Sequence, residues 1–286
     1  MSFSNTQRPA CCFVLTLLGS ISLAGCAALP TAKMTLPDQH TLVREPLVFH
    51  SDFRLPAHHR LLDELIRLQA DITTELGLPA SDEPVHLYLF RTPERYNTFM
   101  RGHYPDFPSR RALFLETDTR LVVFAHWGDR VAEDLRHEVA HGYLHASVQN
   151  LPLWIDEGLA EYFEVARGHG GLNRPHVELL TEALDAGTWQ PDLARLEALD
   201  SFATMTQRDY AESWAWIYWL LATTPERRDW LREYLQTLRL EGHVQPLSTG
   251  LASVDDDANR ELIGMLKSLR DETQRVARHE SSALPE

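Results

Sequence analysis

His137 and His141 lie four residues apart with an acid, Glu138, between them. On an α-helix this spacing places both imidazoles on one face, one turn apart, where both can reach a single ion. Glu138 is rotated by about 100° from His137. It can therefore reach a water on that ion without becoming a ligand. This is the arrangement that H-E-x-x-H chemistry, the metal-assisted attack of water, requires. The surrounding helix agrees. Val131, Leu135, Val139 and Tyr143 form an apolar ridge on the opposite side, and Ala140 and Leu144 cover much of the remainder. A helix this apolar is interior, so its His–Glu face must open onto a cleft. His145 extends the face by one more turn, a place more often taken by a supporting or exposed residue than by a ligand.

Zinc needs a third protein ligand and one position left open for water. Cysteine cannot supply it, because all three cysteines (Cys11, Cys12, Cys26) lie in the first 26 residues. Histidine and carboxylates must hold the metal. The next helix, Leu153 to Glu164, carries Glu157, Glu161 and Glu164 at i, i+4 and i+7, opposite Ile155, Leu159, Tyr162, Phe163 and Ala166. Like charges this close destabilise a helix unless a cation faces them, and a dication would supply that. Glu164 reads as solvated, and Asp156 as a structural residue turned away from the stripe. His103, His126 and His169 have no partner spacing.

HEVAH followed by WIDEGLAEYFE resembles the gluzincin metallopeptidases, closest to the bacterial peptidase MA-like proteins. The matching motifs cover roughly residues 120–222. The resemblance implies a zincin-like fold, zinc as cofactor, Glu157 as the third ligand and Glu138 as general base. It implies that Glu161 accepts a hydrogen bond from the non-ligating nitrogen of His137. It also implies that Tyr210, which opens the segment Arg208–Trp219, donates to the tetrahedral oxyanion, and that Arg120–His126 is an edge strand that pairs with extended substrate. Leu144 and Ser147 stand where metzincins carry Gly and His, which excludes that class. The G-x-M-E-N motif of the zinc aminopeptidases is missing. The expected activity is hydrolysis of peptide bonds in a peptide or protein substrate. Two alternatives stay open: an inactive zincin-fold lipoprotein that binds a peptide or partner, and a zinc amidase acting on peptidoglycan.

These residues need a scaffold. Helical spacing of Leu61, Leu62, Leu65, Ile66, Leu68 and Ile72 predicts a helix over 57–76. Strands are expected at Leu47–Phe49, Val85–Phe90, Arg111–Leu115 and Arg120–His126, the last two as a hairpin. Thr92-Pro93 opens a short helix. From Asp129 onward, helices are expected at 129–147, 153–167, 174–187, 207–222, 225–239 and 257–279, with loops at 168–171 and 242–253. The fold class is α+β. A small α/β lobe (46–148) with a short, mostly antiparallel sheet precedes a helical lobe (149–280), with the HEVAH helix between them. Residues 281–286 read as a disordered tail.

Residues 1–25 read as a secretory signal peptide, with Arg8 before an apolar run from Cys11 to Leu23. Leu23-Ala24-Gly25-Cys26 resembles the lipobox of bacterial lipoproteins, which implies lipid on Cys26 and a place in the cell envelope, on the periplasmic side. By the same resemblance, Ala27 favours the outer membrane. Residues 26–45 read as a tether. The net charge of −14 argues against nucleic acid. A Walker loop, a dinucleotide fingerprint and a G-x-S-x-G elbow are all missing.

Overall fold

The computed structural model describes residues 35–283 apart from 108, 255 and 256. The signal segment 1–25 and Cys26 lie outside the described residues. The first strands are β1 (His40–Arg44) and β2 (Leu47–Ser51). Helix α1 (Arg60–Leu76) follows, with the His59 ring accepting from the Leu61 amide and Gly77 closing the helix at φ 66°. Next come β3 (Val85–Phe90), α2 (Pro93–His103), β4 (Ala112–Thr117) and β5 (Arg120–His126). Thr92 caps α2 with Pro93 in its first turn, as the dipeptide predicts. The rest is helical: α3 (Val131–His145), α4 (Leu153–Phe163), α5 (Arg174–Asp185), α6 (Leu193–Glu197), α7 (Gln207–Ala222), α8 (Pro225–Glu241), α9 (Leu247–Val254) and α10 (Ala258–Ala283). All these elements belong to one unit, Lys33–Glu286. Among the described residues, no helix is long and apolar enough to cross a membrane.

The α+β class holds, with a five-stranded sheet in the order β1-β2-β3-β5-β4. The sheet is mixed rather than mostly antiparallel: β2–β3 and β3–β5 pair in parallel, β1–β2 and β4–β5 antiparallel. Strand alternation divides its faces. Leu47, Phe49, Val85, Leu87, Leu89, Leu121, Val123 and Ala125 face the main core. Tyr88, Phe90, Val122 and Phe124 face Tyr96 and Phe99 of α2.

Four expectations change. β5 lies inside the sheet between β3 and β4, so the edge next to α3 is β4. Being the last strand before the HEVAH helix does not make a strand an edge; its second partner, β3, decides that. The tether expected over 26–45 ends earlier, because β1 pairs His40–Arg44 with β2. Its alternation of exposed and half-buried residues carries little apolar signal. α9 forms inside the expected loop 242–253, and α10 runs to Ala283, into the expected tail.

Two glycines allow the close contacts on which the centre depends. A Cβ on Gly142 would meet Val85 Cγ1 at 2.8 Å, so α3 lies directly on β3. A Cβ on Gly158 would meet the Ser213 carbonyl oxygen at 2.6 Å, so α4 lies against the α7 backbone. Trp214, Trp216 and Trp219 are fully buried and dock α7 in the core. Burying a large apolar side chain is worth roughly 1.5–3 kcal/mol.

Candidate metal centre

α3 and α4 bring three ligand atoms to one point. His137 Nε2 lies 3.2 Å from His141 Nε2. Glu157 Oε2 lies 3.5 Å from the first and 3.6 Å from the second. A tetrahedral ion bound at ~2.0–2.2 Å holds its ligand atoms about 3.3–3.6 Å apart. The three gaps are therefore close to the edges of such a tetrahedron. Glu157 Oε2 is buried and has no hydrogen-bond partner, the sort of atom that a native core leaves unpaired only with a reason. His137, His141 and Glu157 thus form a buried group that could hold a metal ion.

The other nitrogen of each imidazole is held by a carboxylate. His141 Nδ1 donates to Asp156 Oδ1 at 2.8 Å, and His137 Nδ1 donates to Glu164 Oε2 at 3.1 Å. Proton on Nδ1 leaves Nε2 as the coordinating atom, the arrangement by which outer carboxylates orient metal-binding histidines. This corrects three expectations. Glu161 is not the partner of His137; it meets His176 Nε2 at 2.8 Å and Asn173 Nδ2 at 3.4 Å, both on the α5 side. Glu164 is not a solvated residue, and Asp156 is not merely structural. The cause is the direction of α4. Its start meets the end of α3 (Asp156 at His141 and His145) and its end meets the start of α3 (Glu164 at His137), so the two helices run antiparallel. His145 bridges Asp156 Oδ2 at 3.0 Å and Glu116 Oε2 at 2.6 Å.

Electrostatics follow from burial and pairing. Burial alone would lower both ligand histidines. Glu157 and Glu164 outweigh it and lift His137 well above its ordinary value. Asp156 and Glu157 likewise lift His141 to about 10. Burial raises Asp156, but His141 and His145 hold it well below the usual carboxylate range. Glu138 goes the other way: burial pushes its carboxyl up against the pull of His137 and His141. The Phe114 amide of β4, turned away from β5, donates to Glu138 Oε2 at 2.7 Å and fixes it at the sheet edge.

A cleft of about 1100 Å³ opens beside His137 and Glu138, and Tyr210 lines it. Tyr210 sits in the first turn of α7, set by a capping box between Thr206 and Asp209. Asp209 in turn accepts from Arg195 at 2.6 Å. The Tyr210 hydroxyl accepts from Arg110 at 2.7 Å. Burial pushes the pKa of its phenol up, the charge of Glu157 adds to this and Arg110 opposes it. Arg110 stands in Arg110-Arg111 ahead of β4, and nothing in its spacing along the sequence marks it. Of the expected residues, His137, Glu138, His141, Glu157 and Tyr210 come together, while Glu161 is close by with a different partner.

Residues 131–241 match the model of a family described as "Protein of unknown function (DUF1570)". The match runs from the first residue of α3 to the last of α8, and so takes in both ligand helices and Tyr210. No curated protein matches the chain.

Proposed function

We propose that this protein is a zinc-dependent metallopeptidase of the gluzincin type, held in the bacterial cell envelope by lipid on Cys26. The observation that carries the reading is the meeting of His137 Nε2, His141 Nε2 and Glu157 Oε2 at one buried point beside Glu138. The donor set, two imidazoles and one carboxylate with no thiolate, is one that catalytic zinc sites use. When bound, zinc supplies a water acidified towards ~7 and an electrophile for a scissile carbonyl.

The chain's own residues do the rest. Glu138, buried and with its carboxyl pushed above its ordinary value, is suited to take a proton and to pass it to a leaving amine. Its anchor on the Phe114 amide keeps it beside the β4 edge. An extended peptide pairing with that edge would bring its carbonyls past Glu138, the strand-addition mode of recognition. Tyr210 accepts from Arg110 and keeps its own O–H for donation to an oxyanion. Asp156 and Glu164 fix the two imidazole rings.

The test is hydrolysis of quenched fluorescent peptides by purified, zinc-loaded protein. Glu138→Gln should keep its zinc and lose about 10²–10⁴-fold in kcat. Equal turnover by wild type and Glu138→Gln, or no hydrolysis by zinc-loaded wild type across a diverse peptide set, would overturn the reading.

A further inference from the structure

Several arginines reach the cleft, and most are already neutralised. Arg111 pairs with Asp134 at 2.6 Å. Arg136 pairs with Glu64 at 3.1 Å. Arg130 pairs with Glu133. Arg174 is exposed on the rim. Arg110 differs from all of these. It is half-buried, and its hydrogen bond runs to a neutral phenol, the Tyr210 hydroxyl. Its guanidinium lies 5.3 Å from the Phe202 ring centroid and 5.9 Å from that of Tyr210. A guanidinium has five N–H donors in a planar fork that matches a carboxylate. Phe202 and Tyr210 hold this fork in place, and one bond to a phenol leaves most of it unspent. Removing a charge from water without pairing it is costly, and a ligand that brings the counter-charge lifts that cost.

The carboxylates that act most strongly on Arg110 are Glu157 and Glu138; Asp134 and Glu133 on the same cleft are paired with Arg111 and Arg130. Glu157 belongs to the proposed ligand set, so a bound dication would claim its charge. The space between Arg110 and the metal group would then favour an anion.

We propose that Arg110, steadied by Phe202 and Tyr210, is the specificity-determining residue for a substrate carboxylate lying close to the scissile bond. This rests on the peptidase reading. A carboxylate there can come from a free peptide C-terminus or from an acidic side chain. Both present the same two oxygens to the guanidinium fork. The missing aminopeptidase motif agrees with recognition through an acid rather than through an N-terminal amine.

The experiment separates binding from turnover. Full-length Glu138→Gln protein, with zinc content measured on the same preparation, is titrated with labelled peptides by fluorescence anisotropy. The probes are a peptide with a free C-terminus, its C-terminal amide, and the amide with Glu in place of Gln beside the cleavage position. At least one carboxylate-bearing peptide should bind about 10–100-fold tighter than its neutral counterpart, the range expected for a charge-assisted pair. A preference for the free acid over its amide marks the terminus as the source, and a preference for Glu over Gln marks the side chain. Arg110→Gln should erase the preference and leave zinc content and melting temperature unchanged. Arg110→Lys, which keeps the charge and loses the fork, should retain part of it and serves if the Gln variant does not fold. Equal binding of acid and neutral peptides, absence of binding, or a preference that survives Arg110→Gln and Arg110→Lys in full would overturn the proposal. An Arg110-dependent preference in protein that takes up no zinc would overturn the metallopeptidase reading and, with it, the place beside a scissile bond, leaving Arg110 as a carboxylate-binding residue alone.

Discussion

The His141 imidazole donates from Nδ1 to Asp156 at 2.8 Å, so one edge of the ring is fixed and the other, Nε2, is turned to His137 and Glu157. Asp156 and Glu157 are consecutive in α4, yet one orients the ring and the other meets its coordinating nitrogen. Glu164 does for His137 what Asp156 does for His141.

Removing either outer carboxylate should therefore weaken the metal. Asp156→Asn and Glu164→Gln should each reduce zinc affinity by about 10–100-fold in a chelator competition. Glu161→Gln should have a smaller effect, because Glu161 is engaged by His176 and Asn173. The opposite ranking would restore Glu161 as the partner of His137.

The α4 pattern shows where the sequence can and cannot be read. His137, Glu138 and His141 are legible because their spacing within one helix sets which face they share, and Glu157 because the resemblance carried by WIDEGLAEYFE singles it out of its acidic stripe. The partner of His137 is not, because it depends on how α4 crosses α3. A stripe at i, i+4 and i+7 offers Glu161 and Glu164 equally, and only the antiparallel packing selects between them. Arg110 is illegible for a similar reason: it meets Tyr210 across 100 residues of chain. The buried strands β3 and β5 declare themselves by apolar runs, whereas β1, five residues with no fully buried position, does not.

Stability of the metal-free protein should depend on pH with a defined sign. His141 is raised in the folded state to about 10 from an ordinary 6.5. Its contribution is complete below pH 6.5 and is lost as pH climbs towards 10. Asp156 is depressed below 3.8, so its contribution is present above that value and is lost as pH falls. Metal binding displaces the histidine protons, so zinc affinity should rise with pH across the same alkaline interval. Melting temperatures with chelator should fall between pH 6.5 and 10, and the gain on adding zinc should widen. A metal-free protein that grows more stable over that interval would contradict this pairing.

Gly158→Ala should destabilise the fold by about 1–3 kcal/mol, the range for forcing volume into a packed contact. Its Cβ would meet the Ser213 backbone, which has no side-chain freedom with which to yield. A lower urea midpoint together with weaker zinc binding is expected, because α4 also carries Glu157. An unchanged midpoint would show that α4 and α7 are less closely packed.

Tyr210→Phe removes a hydroxyl and keeps the ring. Loss of one oxyanion donor lowers kcat by about 10²–10³-fold, with a smaller rise in KM. Arg110→Gln should act chiefly on binding of carboxylate substrates. Steady-state kinetics on a free-acid peptide and its amide would separate the two, and wild-type kcat in Tyr210→Phe would return that residue to a packing role.

The central claim is that His137, His141 and Glu157 hold one catalytic zinc. Elemental analysis of the purified protein tests it most directly, with wild type compared with His141→Ala and Glu157→Ala. The account predicts close to one zinc per chain in wild type, with strong loss in both variants while the fold is retained by circular dichroism. A wild type that takes up no zinc, or variants that keep it in full, would contradict the account.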